Sequence, residues 1–222
     1  NPEELVVVHG DTLSALLGGI MGRVAGIRVA HVESGLSSFN LWNPFPEELT
    51  RRLVFRLSHI LYCPGPWAMN NVSALPRICI DTKANTLCDT LALALESDLR
   101  SDHVPDQPFA IASLHRFENI FNKAQFEKLV EVLEDLARDR LILFILHPPT
   151  ERQLKRFGLE DRLATKPRIE LRPRYTYFDF VALIEQSQFV ATDGRSVTAE
   201  TAYLGVPCRI FRKATDRKDG IG

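Results

Sequence analysis

A short apolar, β-branched run followed by a segment of helical periodicity recurs along the whole chain, and that alternation restricts the fold more than any other feature. Residues 5–9, Leu-Val-Val-Val-His, precede a leucine- and glycine-rich segment over 13–25. The run 27–32 precedes an amphipathic segment over 47–57, and 59–63 precedes a helical stretch after Pro66. A short strand at 77–80 and a helix over about 85–99 close this first series. The pattern then restarts, with strands expected at 109–114, 141–146, 168–171, 189–192 and 207–211 and helices at 123–138, 151–157, 177–186 and 197–204. Strands separated by helices need crossover connections, so they pair in parallel. Continuous apolar runs such as 5–9 predict strands buried on both faces. The polar stretch 101–108, with Pro105 and Pro108, reads as the boundary. Two doubly wound α/β domains are therefore expected, residues 1–105 and 106–222.

Composition narrows the class. At 222 residues, 45% hydrophobic and 25% charged, the chain has material for two modest cores. A net charge of -1 gives no electrostatic footprint for nucleic acid. Cys63, Cys79, Cys88 and Cys208 are widely spaced and form no C-x-x-C pair. They read as reduced core residues of a cytoplasmic protein. No apolar run approaches the roughly 20 residues that span a bilayer, so no membrane association is expected. The chain opens on Asn1-Pro2-Glu3-Glu4 without a methionine and stops at Gly220-Ile221-Gly222, which reads as a fragment whose first domain lacks earlier strands.

In open parallel sheets, ligands bind outside the carboxyl ends of the strands. The residues following the expected strands form an unusually chemical set: Asp11, Glu33, His115, His147 and Asp193. Glu33 leaves a strand and Glu47 opens a helix, so the loop between them carries a carboxylate at each end. Taken singly, each of these residues is as readily a helix cap or turn former. Together the coincidence is harder to dismiss. No metal-ligand spacing occurs and no G-x-G-x-x-G follows the early strands, so neither a metal nor NAD is expected.

Seven short motifs, in order along nearly the whole chain, resemble the UDP-N-acetylglucosamine 2-epimerase family. They are V-H-G-D-T at 8–12, H-V-E-S-G-L at 31–36, P-E-E at 46–48 with Arg51 beyond, A-N-T-L at 84–87, S-L-H-R-F-E-N at 113–119, T-D-G-R-S at 192–196 with Glu200 beyond, and Y-L-G-V-P at 203–207. The resemblance implies two Rossmann-like domains, GT-B-like, facing a central cleft. It also implies further chain before Val6 and after Gly222, with basic substrate contacts in the N-terminal part.

The activity it implies is inversion of C2 in UDP-N-acetylglucosamine through elimination of UDP to a 2-acetamidoglucal and re-addition. By position, the family's acid/base carboxylates fall on Asp11, Glu33 and Glu47, and its histidine on His115. Arg51 and Arg116 would either neutralise substrate charge or simply form salt bridges. Gly194, Arg195 and Ser196 would turn backbone N–H groups toward the pyrophosphate, and Glu200 would accept from the ribose hydroxyls. Phe180 or Tyr177 would flank uracil, in competition with an ordinary core role. The chain departs from the family at Arg195, where glycine is usual, and at Thr198 and Ala199, where glutamine and glutamate are usual. A hydrolysing epimerase, a GT-B glycosyltransferase and an inactive nucleotide-sugar-binding fragment are the alternatives, and a homodimer is compatible with each.

Overall fold

The computed structural model describes residues 4–42, 45–97 and 101–211. Contacts divide the chain into two compact units, residues 4–89 and 90–211 among those described. The first unit runs β1 (Leu5–His9), α1 (Leu13–Val24), β2 (Arg28–Val32), α2 (Glu47–Leu57), β3 (Ile60–Cys63), α3 (Pro66–Val72) and β4 (Ile78–Asp81). Helix α4 (Thr86–Glu96) begins in it and ends in the second unit. The second unit continues with β5 (Phe109–Ser113), α5 (Phe117–Ile120), α6 (Lys123–Leu136), β6 (Leu141–Leu146), α7 (Pro148–Phe157), α8 (Leu159–Ala164), β7 (Ile169–Pro173), α9 (Tyr177–Gln186), β8 (Val190–Thr192), α10 (Arg195–Leu204) and β9 (Cys208–Ile210). Both sheets are wholly parallel, in the orders β1-β2-β3-β4 and β7-β6-β5-β8-β9. The four-residue α5 and the helix α8 are additions to the sequence reading.

The second sheet is buried on both faces, as its apolar runs predict. Side chains alternate along a strand. Ala110, Ala112, Ile142 and Phe144 pack with Phe126, Leu129 and Leu133 of α6, Leu154 of α7 and Leu163 of α8. The intervening Phe109, Ile111, Leu141, Leu143 and Ile145 pack with Leu183 and Ile184 of α9 and Val197 of α10. The polar stretch 101–108 is tied to the same unit, through Ser101 Oγ donating to Asp179 Oδ1 at 2.9 Å and His103 lying 4.7 Å from the Tyr175 ring.

The first sheet departs from the expectation of strands covered on both sides. Register places Val8, His31, Leu61 and Cys79 in one row and Val7, Ala30, Ile60 and Ile78 in the next. Helices α1, α2 and α3 all pack on the first face, through Ala15, Val54, Phe55, Ala68 and Val72. On the other face Val7 remains 60% exposed and Ile78 53%. The apolar run 5–9 is therefore a strand covered on one face among the described residues. Of the cysteines, all free, only Cys63 is buried, and burial pushes its thiol up to about 12. No described helix is long and apolar enough to cross a membrane.

The turn after β2 is set by close approach. Gly35 has φ +81°, and a Cβ there would lie 2.1 Å from the Ala68 carbonyl oxygen in α3. Neither the conformation nor the space accepts a side chain. Gly35→Ala is expected to lower stability by at least ~2 kcal/mol, read as a lower urea midpoint with an unchanged denaturant slope.

Candidate functional site

The carboxyl edge of the first sheet is organised by a buried histidine. His31, the penultimate residue of β2, is fully buried. Its Nε2 lies 2.8 Å from the Gly10 carbonyl oxygen and its Nδ1 2.6 Å from Ser34 Oγ. The carbonyl can only accept, so Nε2 carries the proton; the Ser34 hydroxyl lies within reach of both Nδ1 and the His31 carbonyl, and burial favours the neutral ring in which Nδ1 is an acceptor. Burial is the main reason its pKa falls to about 4, opposed by the Gly10 hydrogen bond and reinforced by His9 and Arg51. One ring thus ties the turn after β1, which carries Asp11, to the turn after β2, which carries Glu33. Glu33 itself adopts φ +62°, a left-handed conformation that costs a residue with a side chain of order 1 kcal/mol. Its Oε1 lies 3.9 Å from His9 Nε2.

A second network joins the turn after β1 to helix α2. The nearly buried Arg51 donates through Nη2 to Asp11 Oδ2 and through Nη1 to Glu48 Oε2 at 3.0 Å. Glu48 is fully buried and also accepts from Ser37 Oγ at 2.5 Å, Ser38 N–H at 3.0 Å and Arg52 Nε at 2.9 Å. Burial alone would raise its pKa, but the bonds from Ser37, Ser38 and Arg52, with the Arg51 charge, hold it below the usual range. Of the two roles open for Arg51, the salt bridge is present. Glu47, one residue earlier, has a buried Oε2 that accepts no hydrogen bond. Asp11 and α2 are thus brought together through Arg51, Asp11 and Glu33 are linked through His31, and Glu47 opens α2.

In the second unit the strand order reverses between β5 and β8, which makes their carboxyl ends the switch point where ligands of open α/β sheets bind. The fully buried Asp193 bridges the two ends. It accepts from the backbone N–H of His115 at 2.9 Å and of Arg116 at 3.0 Å, and from Asn119 Nδ2 at 2.9 Å, while Arg116 Nε donates to the Asp193 carbonyl at 2.8 Å. The His115 ring stacks on His147, with centroids 4.4 Å apart, and His147 Nε2 lies 3.3 Å from Ser113 Oγ. Burial lowers the pKa of both rings; that of His147 falls to about 4, with neighbouring His115 and Arg174 adding to the effect. A Cβ on Gly194 would lie 3.0 Å from His115 Cε1, so this glycine makes room for the histidine.

Helix α10 begins two residues earlier than expected. Gly194 is its N-cap, and Arg195 and Ser196 lie in its first turn, where backbone N–H groups have no intrahelical acceptor. Glu200 is buried one turn further on. Phe180 packs against the second unit's core, and Tyr177 packs with Leu91 and Ala94 of α4. Glu48, His31 and Asn119 are organising residues to which sequence reasoning gave no role, whereas the strand-end rule had picked out Asp193. Only Glu48 carried a local signal, its spacing of three and four from Arg51 and Arg52.

Comparison with known proteins resolves the family. The profile described as UDP-N-acetylglucosamine 2-epimerase matches residues 1–222. The chain belongs to the UDP-N-acetylglucosamine 2-epimerase family. It is 31% identical over 230 residues to the UDP-N-acetylglucosamine 2-epimerase of Methanocaldococcus jannaschii, covering 98% of this chain and 62% of that protein. It is 30% identical to the UDP-2,3-diacetamido-2,3-dideoxy-D-glucuronate 2-epimerase of Pseudomonas aeruginosa, covering 95% of this chain and 59% of that protein. A crystal structure of the M. jannaschii enzyme in complex with UDP-GlcNAc and UDP superposes with a TM-score of 0.84, over 96% of this chain and 61% of the other. The Neisseria meningitidis enzyme bound to UDP-GlcNAc gives 0.85 at 26% identity, over 98% and 62%. The chain thus spans about three fifths of the length of these relatives.

Two outcomes follow for this 2-epimerase family member. Glu48→Ala leaves Arg51 in a buried site with one carboxylate fewer, and should cost about 3 kcal/mol in urea unfolding. Acid should also destabilise the chain. The folded pKa of His31 lies below its ordinary value of 6.5, so unfolding takes up a proton between the two. Its contribution, on the order of 3 kcal/mol, is fully present above 6.5 and is lost as pH falls toward 4. His147 acts in the same sense and the same window, and Glu48 adds its share below its ordinary 4.5. Unfolding free energy should decline from pH 7 to pH 4, and His31→Gln should remove about one proton's worth of that slope; an unchanged slope would refute the assignment.

Proposed function

We propose that this chain carries the residues that invert C2 of a UDP-linked 2-acetamido sugar, with UDP-N-acetylglucosamine as substrate and UDP-N-acetylmannosamine as product. The C2 proton is adjacent to no carbonyl and is barely acidic, so its removal needs a positioned base and a leaving group departing with it. A carboxylate takes the proton, the C2–H electron pair forms the C1=C2 bond, and the C1–O bond breaks to release UDP. Re-addition of UDP, with a proton delivered to the opposite face of C2, completes the inversion. Traffic at two faces requires at least two acid/base groups, one of them protonated when the other is not.

Glu33, Glu47 and Asp11 are the proton-handling set in this reading. Their retention, with Asp11 oriented by Arg51 and Glu33 held in a strained turn, is the observation that carries it. The second unit would hold the nucleotide. The first-turn N–H groups of α10, with Arg195 and Ser196, would face the pyrophosphate, and Glu200 the ribose. Phe180 would reach uracil only from its place against the core. His115, with Arg116, would meet the departing phosphate. The histidine's lowered pKa fits a neutral ring that exchanges one hydrogen bond with it rather than an ionic partner.

The near-equal identity to the P. aeruginosa protein supports a second sugar as substrate, the 2,3-diacetamido uronate named for that relative. Incubating each UDP-sugar with the chain in deuterated water and no acceptor separates the readings. Deuterium at C2, with the C2 epimer, is expected for the true substrate. Free N-acetylmannosamine would instead mark a hydrolysing epimerase. Bound UDP without exchange would indicate a transferase or a binding protein. Glu33→Gln should slow C2 exchange by at least ~100-fold while leaving UDP affinity within about twofold, and unchanged exchange would remove Glu33 from the mechanism.

A further inference from the structure

The amino edge of the first sheet, at the opposite end of its strands from Asp11 and Glu33, collects cations. Arg28 begins β2, His59 immediately precedes β3, and Arg77 immediately precedes β4. These three line an open surface cavity of about 450 Å³ with Leu75, Pro76 and Ile78, and no acidic residue lines it. Arg23, in the last turn of α1, reaches the same place, its Nη1 2.5 Å from His59 Nε2. Arg23 has an ordinary reason to be there, since a cation complements a helix C-terminus. Arg77 likewise reaches a helix C-terminus, the Arg56 carbonyl in the last turn of α2, whereas Arg28 begins β2 and has no such role.

Hydrogen-bond chemistry shows what is missing. His59 Nδ1 accepts from the Val29 backbone N–H at 3.0 Å. The proton of the neutral ring must then sit on Nε2, which makes Nε2 a donor facing the Arg23 guanidinium, itself only a donor. Arg77 adds another. Its Nη2 donates to the Arg56 carbonyl at 2.7 Å, but its Nε is buried and has no acceptor. Among the described residues none of Arg23, Arg28 and Arg77 forms an ion pair with a carboxylate. Donors converge here, and the acceptors that Arg77 meets among the described residues are the neutral backbone carbonyls of Arg56 and Pro76, with none for its Nε. Burial and the charges of Arg23, Arg77 and Arg28 all lower the His59 pKa, which is consistent with a positive potential at this point.

We propose that Arg23, Arg28, His59 and Arg77 form an anion-binding site for a phosphoryl group, separate from the candidate catalytic edge. A phosphoryl group would accept from the Arg28 and Arg77 guanidinium groups and draw Arg23 away from His59 Nε2, which frees that ring N–H to donate to it as well. Guanidinium groups suit such a ligand because their forked donors match its oxygens. The cavity would hold inorganic phosphate or the phosphate end of a larger molecule.

The test uses the whole chain with ¹⁵N-labelled arginine, titrated with inorganic phosphate and with pyrophosphate at constant physiological ionic strength. Following the Arg77 Nε–H resonance keeps this site distinct from any phosphate bound near Arg195. Saturable shifts of the Arg77 and Arg28 resonances are expected. Affinity should fall about tenfold in both Arg77→Lys and Arg28→Gln, while Arg140→Lys, which alters a cation paired with Asp139 in the second unit, should leave it unchanged. Thermal melts of each variant identify any that has lost its fold, and the exposed Arg28 keeps the test alive if Arg77→Lys does so. Shifts that do not saturate, or equal affinity in a folded Arg28→Gln and the parent chain, would overturn the site.

Discussion

Burying an ionised carboxylate is costly unless hydrogen bonds from several donors replace its water, and both units of this chain are arranged around that requirement. Glu48 gathers Ser37, Ser38, Arg51 and Arg52; Asp193 gathers His115, Arg116 and Asn119. The donors of Asp193 lie on a segment distant in sequence, and Glu48 adds to the arginines of its own helix two donors, Ser37 and Ser38, from the loop that precedes it. Satisfying the charge therefore forces a loop at one strand end to lie against another element. The candidate reactive groups occupy those same loops. Asp11 is reached through Arg51, the guanidinium that Glu48 holds, and His115 is placed by the backbone bond to Asp193.

The histidines show why the buried carboxylates matter for chemistry. His31, His115 and His147 are all driven toward the neutral ring chiefly by burial. A neutral imidazole is a directional hydrogen-bonding group, and at His31 that directionality locks two turns in register. At His115 it means that the negative charge of a departing nucleotide diphosphate would have to be met elsewhere, by Arg116, Arg195 and the amino end of α10. Arg195 at the first helical position leaves the backbone N–H array of that turn in place, so its departure from the glycine usual in the family adds a cation without removing the helix terminus.

Legibility from sequence followed the range of the interactions involved. Strands and helices came from local periodicity, and α2 and α9 begin and end where their apolar spacing and flanking residues put them. The carboxyl-end rule then singled out Asp11, Glu33, His115, His147 and Asp193 without any contact being known. What could not be read is what those residues touch. Asp193 and His115 are 78 positions apart, and Arg51 and Asp11 are 40. His31 looked like one more residue in an apolar run, because a strand written in one dimension does not say which polar atoms its side chain will meet. The open face of the first sheet was hidden for the same reason. Apolar alternation reports that a face can be buried, and the elements that bury it are chosen by tertiary structure.

Parallel strands impose a last asymmetry on the first unit. Every strand enters at one edge and leaves at the other, so the residues before the strands and those after them are separated by the length of the sheet. Arg28, His59 and Arg77 stand before β2, β3 and β4; Asp11 and Glu33 stand after β1 and β2. Cations and carboxylates that would otherwise pair are kept apart by the sheet itself. At one edge Asp11 finds Arg51 on α2 and Glu33 lies near His9, whereas the cations at the other find no carboxylate among the described residues. The parallel topology that sets Glu33 at the carboxyl edge, beside Asp11, is thus the same constraint that sets Arg28 and Arg77 together at the amino edge.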